Sequence, residues 1–79
     1  MNPKLPCYIN LKQAEELLGE MGLAHDSGQI RRAADKDAAG RRRLPFFVDP
    51  IDGKLKIEKG TLVRIYREAQ IEAENSAKL

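Results

Sequence analysis

Seventy-nine residues allow one domain and not two, and a domain this small buries only about 60% of its unfolded surface. Two Phe, two Tyr and no Trp oblige the core to be built mainly from Leu, Ile, Val and Ala. The formal net charge of +2 says little about partners, the lone Cys7 excludes an internal disulfide, and no apolar run is long enough to span a bilayer.

Charge distribution is more informative than its sum. Residues 27–43 hold Arg31, Arg32, Lys36, Arg41, Arg42 and Arg43 against Asp35 and Asp37 only. Residues 1–26 lean acidic, and from residue 44 the charges balance. A positive excess gathered in one short stretch is the footprint expected for a polyanion.

In chain order, Pro3 and Pro6 make residues 1–8 an extended lead-in whose Met1-Asn2-Pro3-Lys4 start lacks the apolar run of a signal peptide. A reducing, cytoplasmic setting fits. Asn10-Leu11-Lys12-Gln13 has the form of a capping box, with Ile9 and Ala14 at the staple positions. Ala14, Leu17, Leu18 and Met21 follow at helical spacing, predicting a helix of about 10–19 that Gly19 and Gly22 break.

The grammar then repeats. Asp26-Ser27-Gly28-Gln29 is a second capping box, with His25 and Ile30 placed to staple it. Ile30, Ala33, Ala34 and Asp37 share one side of the second helix, and Gly28, Gln29, Arg32, Asp35 and Lys36 the other, with Gly40 as the stop. Two short helices joined by a Gly-containing turn are a helix-turn-helix candidate.

Leu44-Pro45-Phe46-Phe47-Val48 reads as an edge strand and Asp49-Pro50-Ile51-Asp52-Gly53 as a turn. Lys54-Leu55-Lys56-Ile57 reads as the returning strand, with Leu55 and Ile57 inward and both lysines toward water. A third helix is expected from Gly60 or Thr61, with a stripe of Leu62, Ile65, Tyr66 and Ala69 and Val63 beside it, fraying after about residue 74. The expected class is α+β, a small winged helix-turn-helix over 9–70 with a tail at 71–79.

On these residues the chain resembles a known family. Tyr8-Ile9-Asn10-Leu11-Lys12-Gln13-Ala14-Glu15-Glu16-Leu17-Leu18-Gly19 is similar to the opening helix of excisionases and MerR-like regulators. Ile30-Arg31-Arg32-Ala33 resembles their recognition-helix core, and Leu44-Pro45-Phe46-Phe47 with Gly53-Lys54-Leu55-Lys56-Ile57 their wing. The likeness covers roughly residues 8–67. Ala33 departs from it, standing where many relatives carry Trp or Tyr, as do the three arginines before Leu44. The resemblance implies a cofactor-free, nucleoid-associated protein of a mobile element. Such a protein binds attachment-site DNA in several adjacent copies, bends it, and directs an integrase toward excision.

The residues expected at DNA are Ser27, Gln29, Arg31, Arg32, Lys36, Arg41, Arg42, Arg43, Lys54 and Lys56. Arg31 or Arg32 can pair with guanine and Gln29 with adenine, while Arg41–Arg43 and the wing lysines hold phosphates, or one arginine enters the minor groove. Each also has a plainer reading. Arg32, Lys36 and Gln29 suit the wet face of any surface helix, and edge-strand lysines deter aggregation. The arginine trio at 41–43 suits a solvated loop, against which three adjacent arginines repel one another in the absence of a polyanion.

No catalytic or metal constellation is expected. His25 stands alone, Cys7 has no partner base and reads as half-buried, and Glu15 and Glu16 point apart on a helix. The expected partners are double-stranded DNA, an integrase, and further copies along the duplex, with no membrane and no cofactor. Competing readings are a small MerR-like transcriptional regulator and a protein-interaction adaptor.

Overall fold

The computed structural model describes residues 5–77. The elements run β1 (Tyr8–Ile9), α1 (Leu11–Glu20), α2 (Ser27–Ala34), β2 (Phe47–Val48), β3 (Leu55–Glu58) and α3 (Lys59–Ala77). Three helices and a small three-stranded antiparallel sheet make the chain α+β, a small winged helix-turn-helix arrangement.

Both capping boxes form. Asn10 Oδ1 accepts from the Gln13 amide at 2.8 Å, and Gln13 Oε1 accepts from the Asn10 amide at 3.0 Å. Asp26 and Gln29 repeat the exchange at 2.7 and 3.0 Å. Each box satisfies two amides at a helix start that would otherwise lack partners. At the α1 end, Gly19 stays helical and Gly22 makes the break, adopting φ 85°. That left-handed turn lets the Leu23 amide donate to Leu18 O at 2.7 Å and sends the chain into α2.

The sheet order is β1-β3-β2, with β3 in the centre. Ile9 lies opposite Ile57 and Tyr8 opposite Glu58; Phe47 lies opposite Lys56 and Val48 opposite Leu55. Directly opposed residues share a face, so Ile9 and Ile57 enter the core together. On the outer face the Tyr8 and Phe47 rings meet edge to face, their centroids 5.8 Å apart.

The core joins Leu5, Ile9, Ala14, Leu17, Leu18, Ile30, Ala34, Leu44, Phe46, Ile57 and Leu62, with Val63, Ile65 and Tyr66 packed at its edge. Ala14 and Ala34 have no exposed surface, which lets α1 and α2 approach closely. The staple partners Ile9 and Ile30 are buried, and His25 is half-buried.

Several boundaries differ from the sequence reading. The second helix stops at Ala34 instead of reaching Gly40, so Asp35, Lys36 and Asp37 lie beyond it. Asp37 organises the turn that follows. Its Oδ1 accepts from the Ala39 and Arg41 amides at 2.9 and 3.0 Å, and Gly40 closes the turn at φ 78°. The first wing strand is only Phe47–Val48, because Leu44 and Phe46 turn into the core instead of pairing.

Leu55 is half-buried, whereas Ala69 is exposed and lies off the core stripe. The third helix begins at Lys59, directly from β3, and continues to Ala77. Cys7 is exposed.

Within the expected lead-in, residues 1–4 lie outside the described part, and the remainder is built into the fold. Leu5 is buried, Tyr8–Ile9 is the sheet's third strand, and Lys59 fastens the segment. The Lys59 ammonium donates to Leu5 O at 2.7 Å and its amide to Cys7 O at 2.9 Å. Leu5→Ala therefore empties a core position and is expected to destabilise the domain by about 2–5 kcal/mol. Urea unfolding checks this; a change below about 0.5 kcal/mol, the size of an ordinary surface substitution, would place Leu5 outside the cooperative unit.

Candidate nucleic-acid interface

α2 buries Ile30 and Ala34 in the core, packing on α1, which leaves the opposite side open to solvent. At 100° per residue Gly28 and Arg32 lie opposite Ile30. The Arg32 guanidinium passes over Gly28, where an added Cβ would meet its Nη1 at 3.6 Å. Arg32 is therefore the most outward cation of the helix. Arg31 sits about 100° away on the flank facing α1. There it lines a groove with Leu11, Lys12, Glu15, Ser27 and Gly28.

That groove contains a residue that sequence reasoning passed over. Lys12 sits in the first turn of α1, fifteen positions before Ser27 (27 minus 12), and only the helix-turn-helix crossing brings it beside Arg31. Its side chain is exposed. No local pattern marks it, since a lysine in the first turn of an amphipathic helix is ordinary.

The opposite flank of α2 borders a cleft of about 400 Å³. Leu18, Ile30, Ala33 and Leu44 form its floor, and Arg32, Arg43, Gln29, His25 and Tyr66 surround it. Ala33 leaves space there that a larger side chain would fill.

The three arginines have different roles. Arg42 is half-buried and donates from Nη1 to Ala34 O, so it caps the carbonyl end of α2. Arg41 and Arg43 are exposed, and among the described residues neither pairs with a carboxylate. The Leu44 amide donates to Ala33 O at 2.9 Å. The 42–44 segment is thus stitched to the last turn of α2, which carries Arg41 and Arg43 at the end of the helix.

Gln29 and Lys56 have internal partners as well. The Gln29 carbonyl oxygen is engaged by the Asp26 amide, so bidentate recognition of adenine, which needs that acceptor, requires the cap to open. The Lys56 ammonium donates to Asp49 Oδ2 at 3.0 Å and Asp52 Oδ2 at 3.1 Å. Lys54 is exposed at the base of the turn, and Lys36 and Ser27 are exposed as well. The structure therefore brings Ser27, Arg31, Arg32, Arg41 and Arg43 to α2 and its two ends. Lys36 lies past the helix, and Lys54 and Lys56 are on the hairpin.

The wing end is held by its own acids. Asp49 Oδ1 accepts from the Ile51 amide and Asp52 Oδ1 from the Lys54 amide, each at 2.8 Å. Gly53 supplies the φ of 72° that closes the turn. The Ile51 amide and then Lys56 hold the Asp49 carboxyl below its ordinary value of 3.8. The Lys54 amide and then Lys56 do the same for Asp52. Lys56 is raised above its ordinary 10.5 by Asp49 and then Asp52.

Among the described residues, no group of three His, Cys, Asp or Glu side chains could hold a metal ion. No described helix is long and apolar enough to cross a membrane. Neither family models, nor curated proteins, nor solved structures provide a match to this chain.

Carboxylates with lowered folded values stabilise the folded state above their ordinary value and lose that contribution as pH falls through the lowered one. For Lys56 the contribution is present below 10.5 and is lost as pH rises through its raised value. The wing end is therefore expected to loosen on acidification below about pH 3.8. Protection of the Ile51 and Lys54 amides, measured against intrinsic exchange at each pH, should fall there before that of the centre of β3. Wing amides that keep their protection until global unfolding would show that these carboxylates do not hold the turn.

Proposed function

We propose that this chain is a non-catalytic, sequence-specific DNA-binding protein of the excisionase type. It would bind attachment-site DNA through α2, bend it, and direct an integrase toward excision. The observation that carries the DNA reading is the set of exposed cations along one helix. Arg32 faces outward from α2, Arg31 and Lys12 line one flank, and Arg43 with Arg41 stands at its carbonyl end. A helix of this size enters the major groove, and cations on both sides of it reach the flanking phosphates. The excisionase assignment rests on the sequence resemblance at residues 8–67.

On this reading the cations divide the labour. Arg32 reads a base, with guanine O6 and N7 as its bidentate acceptors. Arg31 and Lys12 form a pair on one phosphate strand, and Arg41 and Arg43 hold the other. Arg42 positions the loop and makes no phosphate contact. The ion-paired Lys56 leaves Lys54 as the hairpin's available cation, so the wing contributes little charge. A single module of this type buries only about 600–1,000 Å² on DNA. Useful affinity then comes from several copies on one site.

Two measurements test these roles. Arg41→Ala with Arg43→Ala should weaken binding to all duplexes alike and make the log-log salt slope shallower by about 2, for two lost phosphate contacts. Adding Arg42→Ala should lower Tm without changing the slope further; a slope that falls again would make Arg42 a phosphate ligand. Separately, Arg32→Ala should cost about 1–3 kcal/mol on an attachment-site fragment and much less on random duplex. Equal losses on both would move Arg32 to the backbone, and a wild-type chain that binds neither duplex would remove the DNA reading altogether.

A further inference from the structure

The end of the wing and the cleft beside α2 have complementary chemistry on two separate surfaces of one chain. Ile51 is 95% exposed, the most exposed of the large apolar side chains among the described residues. It is not on a loose loop, because the Asp49, Asp52 and Gly53 hydrogen bonds fix the turn that displays it. Asp49 and Asp52 bracket it in sequence and share the Lys56 ammonium, and with Lys54 the turn is neutral overall while presenting two carboxylates. A rigid apolar tip beside two carboxylates offers phosphates only Lys54, since Lys56 is held by Asp49 and Asp52. It suits an apolar recess with a cationic rim.

The cleft is such a recess. Its floor is Leu18, Ile30, Ala33 and Leu44, its rim carries the guanidinium groups of Arg32 and Arg43, which have no carboxylate partner among the described residues, and about 400 Å³ is ample for one isoleucine side chain. Arg43 and Leu44 lie at the base of the same hairpin that bears Ile51, and the β2–β3 ladder separates base from tip. A wing therefore cannot reach its own cleft.

We propose that the wing tip of one copy docks into the α2 cleft of a second copy, Ile51 entering the floor while Asp49 and Asp52 face Arg32 and Arg43. This is association without DNA, distinct from copies lining up on a duplex. The contact uses Arg32 and Arg43, so DNA and a second copy compete for the same face; that competition rests on the function proposed above. The result is a reservoir of mutually masked chains that separates when a site is offered. Tip and recess are different surfaces, so the contact is heterologous, and its small size makes it weak.

Sedimentation and translational diffusion of the full chain at low salt, from about 0.05 to 1 mM, a range suited to weak complexes, should show mass rising with concentration. Ile51→Asp and Ala33→Trp should each remain monomeric, the first lacking the tip and the second the recess. Mixed in equal amounts they should form a 1:1 pair, because each retains the half the other has lost. Circular dichroism verifies folding; where Ala33→Trp fails to fold, Arg43→Glu takes its place with the same expected pairing. A monomeric wild type throughout the range, undiminished association of Ile51→Asp, or a mixture that stays monomeric overturns the proposal. So does an Ile51→Asp variant whose only defect is weaker duplex binding, which would make Ile51 a wedge between base steps. Added duplex should dissociate the complex; association that persists with a duplex the chain does not bind leaves the contact standing and removes the DNA reading instead.

Discussion

The attachment of residues 42–44 to the carbonyl end of α2 determines what the rest of the molecule can present. α2 has eight residues, and a helix that short is unstable by itself. Its start is closed by the Asp26–Gln29 box and its end by Arg42 on Ala34 O and the Leu44 amide on Ala33 O. Leu44 then drops into the core beside Ile30 and Ala34, and Phe46 follows it two residues later. The same bonds that terminate the helix therefore start the wing. The helix, the basic segment and the hairpin become one piece whose relative positions are not free to vary.

This attachment also explains why three adjacent arginines can be accommodated. Arg42 neutralises partial negative charge at the carbonyl end of α2, where the macrodipole favours a cation. Arg41 and Arg43 flank it and point into solvent, so the trio is split between the protein and water. Asp37 supports the segment from the other side by bonding the Arg41 amide. Elsewhere the polar groups are similarly self-sufficient, and no buried side-chain nitrogen or oxygen among the described residues lacks a partner.

Much of this was legible in the sequence, and where it was not, a physical reason can be given. Both capping boxes were readable because they are local, involving residues three apart with a fixed chemistry. The buried faces of α1 and α2 followed from period, and the hairpin from alternation around Asp49–Gly53. The end of α2 was misplaced because Lys36-Asp37-Ala38-Ala39 has good helical composition. What stops the helix is the Arg42 cap, which comes from eight residues downstream of Ala34. β1 was missed for a similar reason, since its pairing with β3 spans almost fifty residues and two residues carry no period. At the candidate interface, Arg31 and Arg32 could be named but not ranked until the position of α1 was known. Lys56 looked free because an alternating strand does not reveal that the preceding turn carries two carboxylates aimed at it.

α3 shows how one anchored segment can carry an unanchored one. Its first turns pack Leu62, Val63, Ile65 and Tyr66 on the core, whereas residues 67–77 are all exposed. No burial stabilises that second half. It is helical because nucleation, the costly step, has already taken place on the core, and propagation adds one hydrogen bond per ordered residue. Glu68-Ala69-Gln70-Ile71-Glu72-Ala73-Glu74 is also composed mostly of strong helix formers. Arg64 lies 3.8 Å from Glu68, one turn on, an exposed pair of little weight. Against these, Glu72 and Glu74 sit toward the end where the macrodipole disfavours negative charge, so the stability of the helix declines along its length. The acidic half of the chain's longest element therefore contributes almost nothing to the core that supports α2, and whatever it does must be done through its exposed surface.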